Sequence, residues 1–351
     1  MADPTINDHQ GNRFLHLFAI AVGLLILTMI VAGGLVTSQD AGDSVPDWPL
    51  SYGSVYPAQQ MVGNVRYEHT HRMIGWALGL MVIALAAGLQ FAEKRRAIMR
   101  MGWIALLWVC LLGGLGGLRV MLISKPGVQD AMMNFFAVFG VHSVQTARVV
   151  VTVVHTALAQ SFLCFVAVLA VTLSRGWINA PSPIRSTQTA SLRRLAIITV
   201  AMILIQLIFG AIRRHTDALL PLVLHLIGAG LVMLHVALLF MRIRVDFSAV
   251  APLRKTAGWL MFLTGSQILL GLLSWWIVRA NRPGGSYLPR LLDSEVLASC
   301  VLTAHLAIGA LIFVSAVLTT AFAFRHTTPR ATETTTDGAD LSASNTMTAT
   351  S

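Results

Sequence analysis

A chain of 351 residues that is 56% hydrophobic and only 11% charged lies far outside the composition of soluble globular proteins. Its formal charge of +10 would suit a nucleic-acid partner, but the Lys and Arg residues sit in short stretches between apolar runs, as membrane topology requires, and that class is excluded. The apolar runs reach roughly 20 residues, the length that crosses a bilayer's hydrocarbon core, and in lipid such runs must be helical.

Taken in chain order, eight spans are predicted at about 14–36, 69–91, 103–123, 149–174, 195–212, 219–240, 257–277 and 296–324. The first is too long for a signal-peptide core and is read as a retained helix. The loops after spans 2, 4 and 6 hold twelve Lys and Arg, against eight in the loops after spans 1, 3, 5 and 7. The even-numbered loops and both termini are therefore expected on the cytoplasmic side. Cys110, Cys164 and Cys300 all fall inside apolar runs and read as packing residues.

The spans repeat. "GGLVTSQDAGD" after span 1 matches "GAIRRHTDA" after span 5, "EHTHRMIG" matches "LVLHLIGAG", "LLGGLGGLRVMLI" matches "QILLGLLSWWIV", and "VVHTALAQSFLCFV" matches "LTAHLAIGALIFV". Each match is weak, but the four occur in one order, which points to a duplicated four-helix unit. The expected fold is an all-α membrane protein of eight transmembrane helices arranged as two pseudo-symmetric four-helix bundles. Its parts would be an N-terminal cytoplasmic segment (1–13), a first half (14–174), a cytoplasmic linker (175–194), a second half (195–324) and a disordered Thr/Ser-rich tail (325–351). The long first outer loop breaks the symmetry and is expected to cover one site.

Four of the eleven histidines fall once in each even-numbered span, near its start: His71, His155, His225 and His305. All four should lie in the outer half of the membrane, where an ionisable side chain is a functional candidate by default. Two imidazoles on facing helices at one level are what a haem iron needs, and four-helix bundles supply that geometry. The repeat pairs His71 with His155 and His225 with His305. Polar packing across helices is the competing account. Zinc is disfavoured because no carboxylate or thiolate cluster accompanies the pairs.

Glu68 precedes His71 by three positions and shares its helix face. The second repeat has Leu222 at the matching place. One site thus carries an acid and the other does not, so one porphyrin would undergo chemistry while the other passes electrons. Against this stands an interfacial ion pair of Glu68 with Arg72 at i,i+4. Arg72, Arg119, Arg148, Arg213 and Arg214 lie at outer span ends, where they could hold haem propionates or snorkel to the interface. The glycines of "LLGGLGGL" are expected to allow close helix contact. In "VPDWPLSYG", the prolines favour a rigid turn and Trp48 is a candidate interfacial anchor.

With these segments in hand, the chain resembles the haem A synthase family over about residues 30–320, carried by "GGLVTSQDAG", "PDWP", "YEHTHRMIG", "VVHTALAQ", "GAIRRHTDA", "LVLHLIGAG" and "LTAHLAIGA". The resemblance implies an enzyme of a bacterial inner membrane or its equivalent that oxidises one methyl group of haem O to a formyl group, by successive hydroxylation, to give haem A. It implies that His71 and His155 flank the substrate haem O, that Glu68 is the catalytic acid/base, and that His225 and His305 ligate the iron of a haem b cofactor. It also implies membrane lipid, haem O synthase and terminal oxidase subunits or assembly factors as partners. Some relatives carry a cysteine pair in an outer loop and this chain does not, which removes a thiol relay. Two rivals remain open: a di-haem b electron carrier or quinol oxidoreductase, and a transporter with histidine proton relays.

Overall fold

The computed structural model describes residues 12–216, 218–280 and 295–330. Ten helices are found among them: α1 (Arg13–Ser38), α2 (Val65–Ala92), α3 (Arg96–Ser124), α4 (Pro126–Ala137), α5 (Val144–Leu173), α6 (Arg175–Ile178), α7 (Thr189–His215), α8 (Leu219–Asp246), α9 (Ala251–Ala280) and α10 (Glu295–His326). Two three-residue strands, β1 (Ile184–Ser186) and β2 (Thr327–Pro329), pair in parallel.

Eight of these helices are long and apolar enough to cross a membrane, in the order expected. Most overrun the predicted spans by several residues at one or both ends. Charged end residues such as Arg96, Arg100 and Arg242 lower local hydropathy without breaking a helix, because arginine is a good helix former. Helix starts follow local chemistry. The Asn12 side chain accepts from the Leu15 N–H, Ser143 accepts from Thr146, and Pro126 opens α4 where no intrahelical donor is needed.

Outward faces are apolar and open: Leu80 is 69% exposed, Leu107 73% and Leu269 69%. That is the surface lipid would cover. Inward, Leu85, Leu89, Phe162 and Leu169 pack one core between α1, α2, α3 and α5, while Leu192, Leu239, Ile243 and Leu253 pack another between α7, α8, α9 and α10. Within each set of four the helices touch in a closed cycle, and α1 and α5 meet α10 while α5 also meets α7.

Three features differ from the sequence reading. α4 is an extra helix between the third and fourth spans, seated by Phe136 against Leu122, Ala147 and Val151. The glycines of "LLGGLGGL" do not bring helix backbones together: Gly113 and Gly114 face open space, Gly116 faces the His155 ring, and Gly117 lies under the indole of Trp48, whereas it is Gly102 of α3 that packs on the α2 backbone at Ala86. At the inner end the chain is structured beyond residue 325. α10 runs to His326, β2 pairs with β1, and Arg193 donates to the carbonyls of Phe324 and Thr327. The remainder of the expected tail, 331–351, and residues 1–11 of the expected N-terminal segment lie outside the described residues.

Candidate functional site

Each of the four histidines rests against a glycine on the neighbouring helix. A Cβ built on Gly33 of α1 would lie 3.1 Å from Cε1 of His71, and one on Gly210 of α7 would lie 3.0 Å from Cε1 of His225. The matching distances are 3.8 Å for Gly116 of α3 against His155 and 3.2 Å for Gly271 of α9 against His305. Absence of a side chain lets the imidazole edge approach the neighbouring helix, which fixes the ring and leaves its other edge toward the space between helices. Gly210→Val is therefore expected to drive His225 from its place. On a haem-ligand reading of this pair, haem bound per purified chain should fall sharply, whereas Gly230→Ala, which meets open space, should leave it unchanged; pyridine haemochrome reads the difference.

The rings of His225 and His305 lie edge to face, with centroids 6.4 Å apart and planes at 63°. With a metal–nitrogen bond of about 2.0 Å and roughly 1.2 Å from ring centre to nitrogen, an iron gripped from both sides needs about 6.4 Å between centroids. His71 and His155 are close enough to interact electrostatically. Nδ1 of His71 and of His305 is buried without a partner, and Nδ1 of His225 lies 3.3 Å from the carbonyl of Gln206, which can accept a hydrogen bond from it. A ring protonated on Nδ1 leaves Nε2 with a free lone pair, as an iron ligand requires. No group of three or more His, Cys, Asp or Glu side chains gathers as a metal site among the described residues, so the donors come as imidazole pairs. The second pair has the ring spacing a haem iron would need, and the first pair brings the same donor types near each other.

Glu68 is 5% exposed, one turn before His71 on α2. Its Oε1 accepts from Arg72 at 2.5 Å and its Oε2 accepts from the Val45 N–H at 2.9 Å. The i,i+4 ion pair weighed from the sequence is thus formed, and it does more than clasp a helix end. Arg72 also donates to the carbonyls of Val45 (3.2 Å), Asp47 (2.5 Å) and Leu50 (2.7 Å), so the pair ties the first outer loop down over the outer end of the first four helices. Other ties act with it. Ser51 bonds His69 at Nδ1 over 2.9 Å, Arg119 donates to the Gly42 carbonyl at 2.6 Å, and Arg148 pairs with Asp43. Within the loop, partial burial raises the Asp47 pKa, but the N–H groups of Gly53 and Tyr52 outweigh it and hold the carboxyl below its ordinary value. Tyr52 and Gly53 are both in the left-handed region, at φ 53° and 69°.

The five arginines considered for propionates are placed differently from one another. Arg72, Arg119 and Arg148 hold the loop, as described. Arg213 donates to the Thr216 carbonyl, and Arg214 reaches across to Ser38 on α1 at 2.7 Å. Near that crossing Gln39 donates to Ser299 of α10 at 2.7 Å. Gly34, beside Gly33, lets Leu306 and Thr303 of α10 approach, so adjacent glycines on α1 serve the first histidine pair and the contact with the second half. Trp48 covers Gly117 with one face of its indole and remains 39% exposed. His16 bonds the Ala170 carbonyl at the inner end, His142 is exposed, and neither joins the pairs.

Sequence reasoning missed two residues. Nε2 of Gln206 donates to the His225 carbonyl at 2.7 Å and lies 3.0 Å from that ring's Nδ1, and Nε2 of Gln267 donates to the His305 carbonyl at 2.9 Å. The signal was present: "QLIFG" and "QILLG" place a glutamine four residues before the glycine that faces each histidine.

Fold and site together define an eight-span helical membrane protein with two histidine pairs, one of them beside a buried carboxylate. The model of the cytochrome oxidase assembly protein family (COX15-CtaA) matches residues 16–226, which include Glu68 and three of the four histidines, and the chain belongs to that family. It is similar to a protein named Heme A synthase from Exiguobacterium sibiricum, 34% identical over 86 residues, which are 24% of this chain and 29% of that one. A Heme A synthase from Halalkalibacterium halodurans is 28% identical over 144 residues, 40% of this chain and 45% of that protein. The matched segments span less than half the length of either relative.

Proposed function

We propose that the chain is a haem A synthase of a bacterial inner membrane or its equivalent, with both termini cytoplasmic, that oxidises a methyl group of haem O to a formyl group. In this reading α1, α2, α3 and α5 form the substrate half, with His71 and His155 on either side of haem O. The second half holds haem b through His225 and His305, and the two halves derive from one duplicated unit. The observation that carries the reading is the asymmetry of the acid: a buried carboxylate stands one turn from His71, and Leu222 stands at the matching place beside His225. The relatives named Heme A synthase support it. Haem b supplies a one-electron redox centre when bound.

The rest falls to the protein. Glu68 acts as the acid/base at the porphyrin methyl group or at a water beside it. Both of its oxygens are engaged, so it must exchange the Val45 N–H or Arg72 for the reacting group. The loop tied over the first half limits access of bulk water, and the arginines at the outer ends are the candidates for the propionates. Expressed with a haem O producer, the chain should yield haem A. Glu68→Gln keeps the size of the side chain and an oxygen for the Val45 N–H, and should lower product by roughly 10²- to 10⁴-fold while haem b stays bound. Undiminished haem A in that variant removes Glu68 from the chemistry. Two haems reduced by quinol with the porphyrins unaltered would identify an electron carrier instead.

A further inference from the structure

The two halves differ in what stands behind the histidines. In the second half, glutamines at the position four before each facing glycine bond the histidine main chain: Gln206 to His225 and Gln267 to His305. In the first half the same two positions, in "MIVAG" and "LGGLG", are Met29 and Leu112. Met29 is a close spatial counterpart. Its Cε comes within 3.1 Å of a Cβ built on Gly75, one turn past His71, just as Gln206 fills the space beside Gly228, past His225. Gln267 likewise lies beside Gly309, one turn past His305, at 3.4 Å. Room for a side chain is thus made at these three histidines, and only the second half fills it with a carboxamide.

A buried carboxamide between apolar helices is costly unless its groups are bonded. Nε2 of each glutamine finds the histidine carbonyl, while Oε1 of each is buried without a partner. Met and Leu at these places leave no such acceptor, so packing alone would be served more cheaply without the amides. The Gln206 carbonyl accepts from Nδ1–H of His225, and the Gln206 amide packs beside that nitrogen at 3.0 Å while it donates to the His225 carbonyl. Tethers that fix a ligand-bearing residue against its neighbouring helix set ring orientation, and loss of such outer-shell partners typically weakens metal binding 10- to 100-fold.

We propose that Gln206 and Gln267 are positioning residues that tether the backbone of the two second-half histidines for a permanently held haem, a side-chain tether that the apolar Met29 and Leu112 do not supply in the first half. This rests on the assignment of haem to both histidine pairs. The test is made on the full chain purified from haem-replete cells. Gln206→Met and Gln267→Leu, singly and together, place the first half's residues in the second. The expected result is a tenfold or greater rise in the rate at which haem is lost to apomyoglobin, with shifted low-spin electron paramagnetic resonance g-values and a shifted midpoint potential of the haem that remains. A purely packing role would alter the melting temperature of the chain and leave g-values and potential in place. Unchanged g-values, potential and loss rate in a folded single variant overturn the proposal while leaving the haem assignment standing. A wild-type chain that carries no haem overturns the assignment, and this proposal with it.

Discussion

His305→Ala is expected to abolish stable haem binding in the second half. Its ring is one of two whose centroids lie 6.4 Å apart, and it rests against Gly271, which carries no side chain to take its place. Loss of an orienting partner alone costs 10- to 100-fold in metal affinity, and loss of a ligand itself should exceed that. The purified variant should show less than about a hundredth of the wild-type haem affinity and form no haem A in cells. Added imidazole should restore a low-spin spectrum by entering the vacated space. A variant with wild-type spectrum and haem content would mean that His225 and His305 do not share an iron.

Arg72→Ala is expected to release the first outer loop and to be the most destabilising single change there. It removes donors to three loop carbonyls and to Glu68, and strands a carboxylate whose side chain is 6% exposed. Breaking a buried pair from one side costs about 3–5 kcal/mol, because the remaining charge is left uncompensated. Part of this will appear as local opening, since the loop can lift without unfolding the helices. Limited proteolysis within residues 39–64 should accelerate by at least an order of magnitude, and haem A formation should fall with it. Glu68→Gln, which keeps an acceptor for Val45, should open the loop far less. Equal proteolysis of wild type and Arg72→Ala would show that Asp43, Arg119 and Arg148 suffice to hold the loop.

Comparing these two variants with Glu68→Gln separates tasks that the site superimposes. Glu68 belongs both to the strap and, in the proposed function, to the chemistry. Loss of activity with an intact loop isolates the chemical part; loss of both isolates the structural part.

The eight spans and their order were legible in the sequence, because a bilayer imposes a length and an apolar character that few other environments demand. The Glu68–Arg72 pair was legible too, since i,i+4 neighbours on a helix meet whatever surrounds them. Tertiary structure alone decided the rest. That each histidine sits over a glycine, that Gln206 and Gln267 reach the histidine main chain, and that Trp48 covers Gly117 all depend on how separate helices and a loop are set against each other. Nothing in local sequence encodes those distances. The same holds for Arg72: its charge and helix position could be read directly, but its three loop carbonyls lie 22 to 27 residues away and are brought to it only by the folded loop.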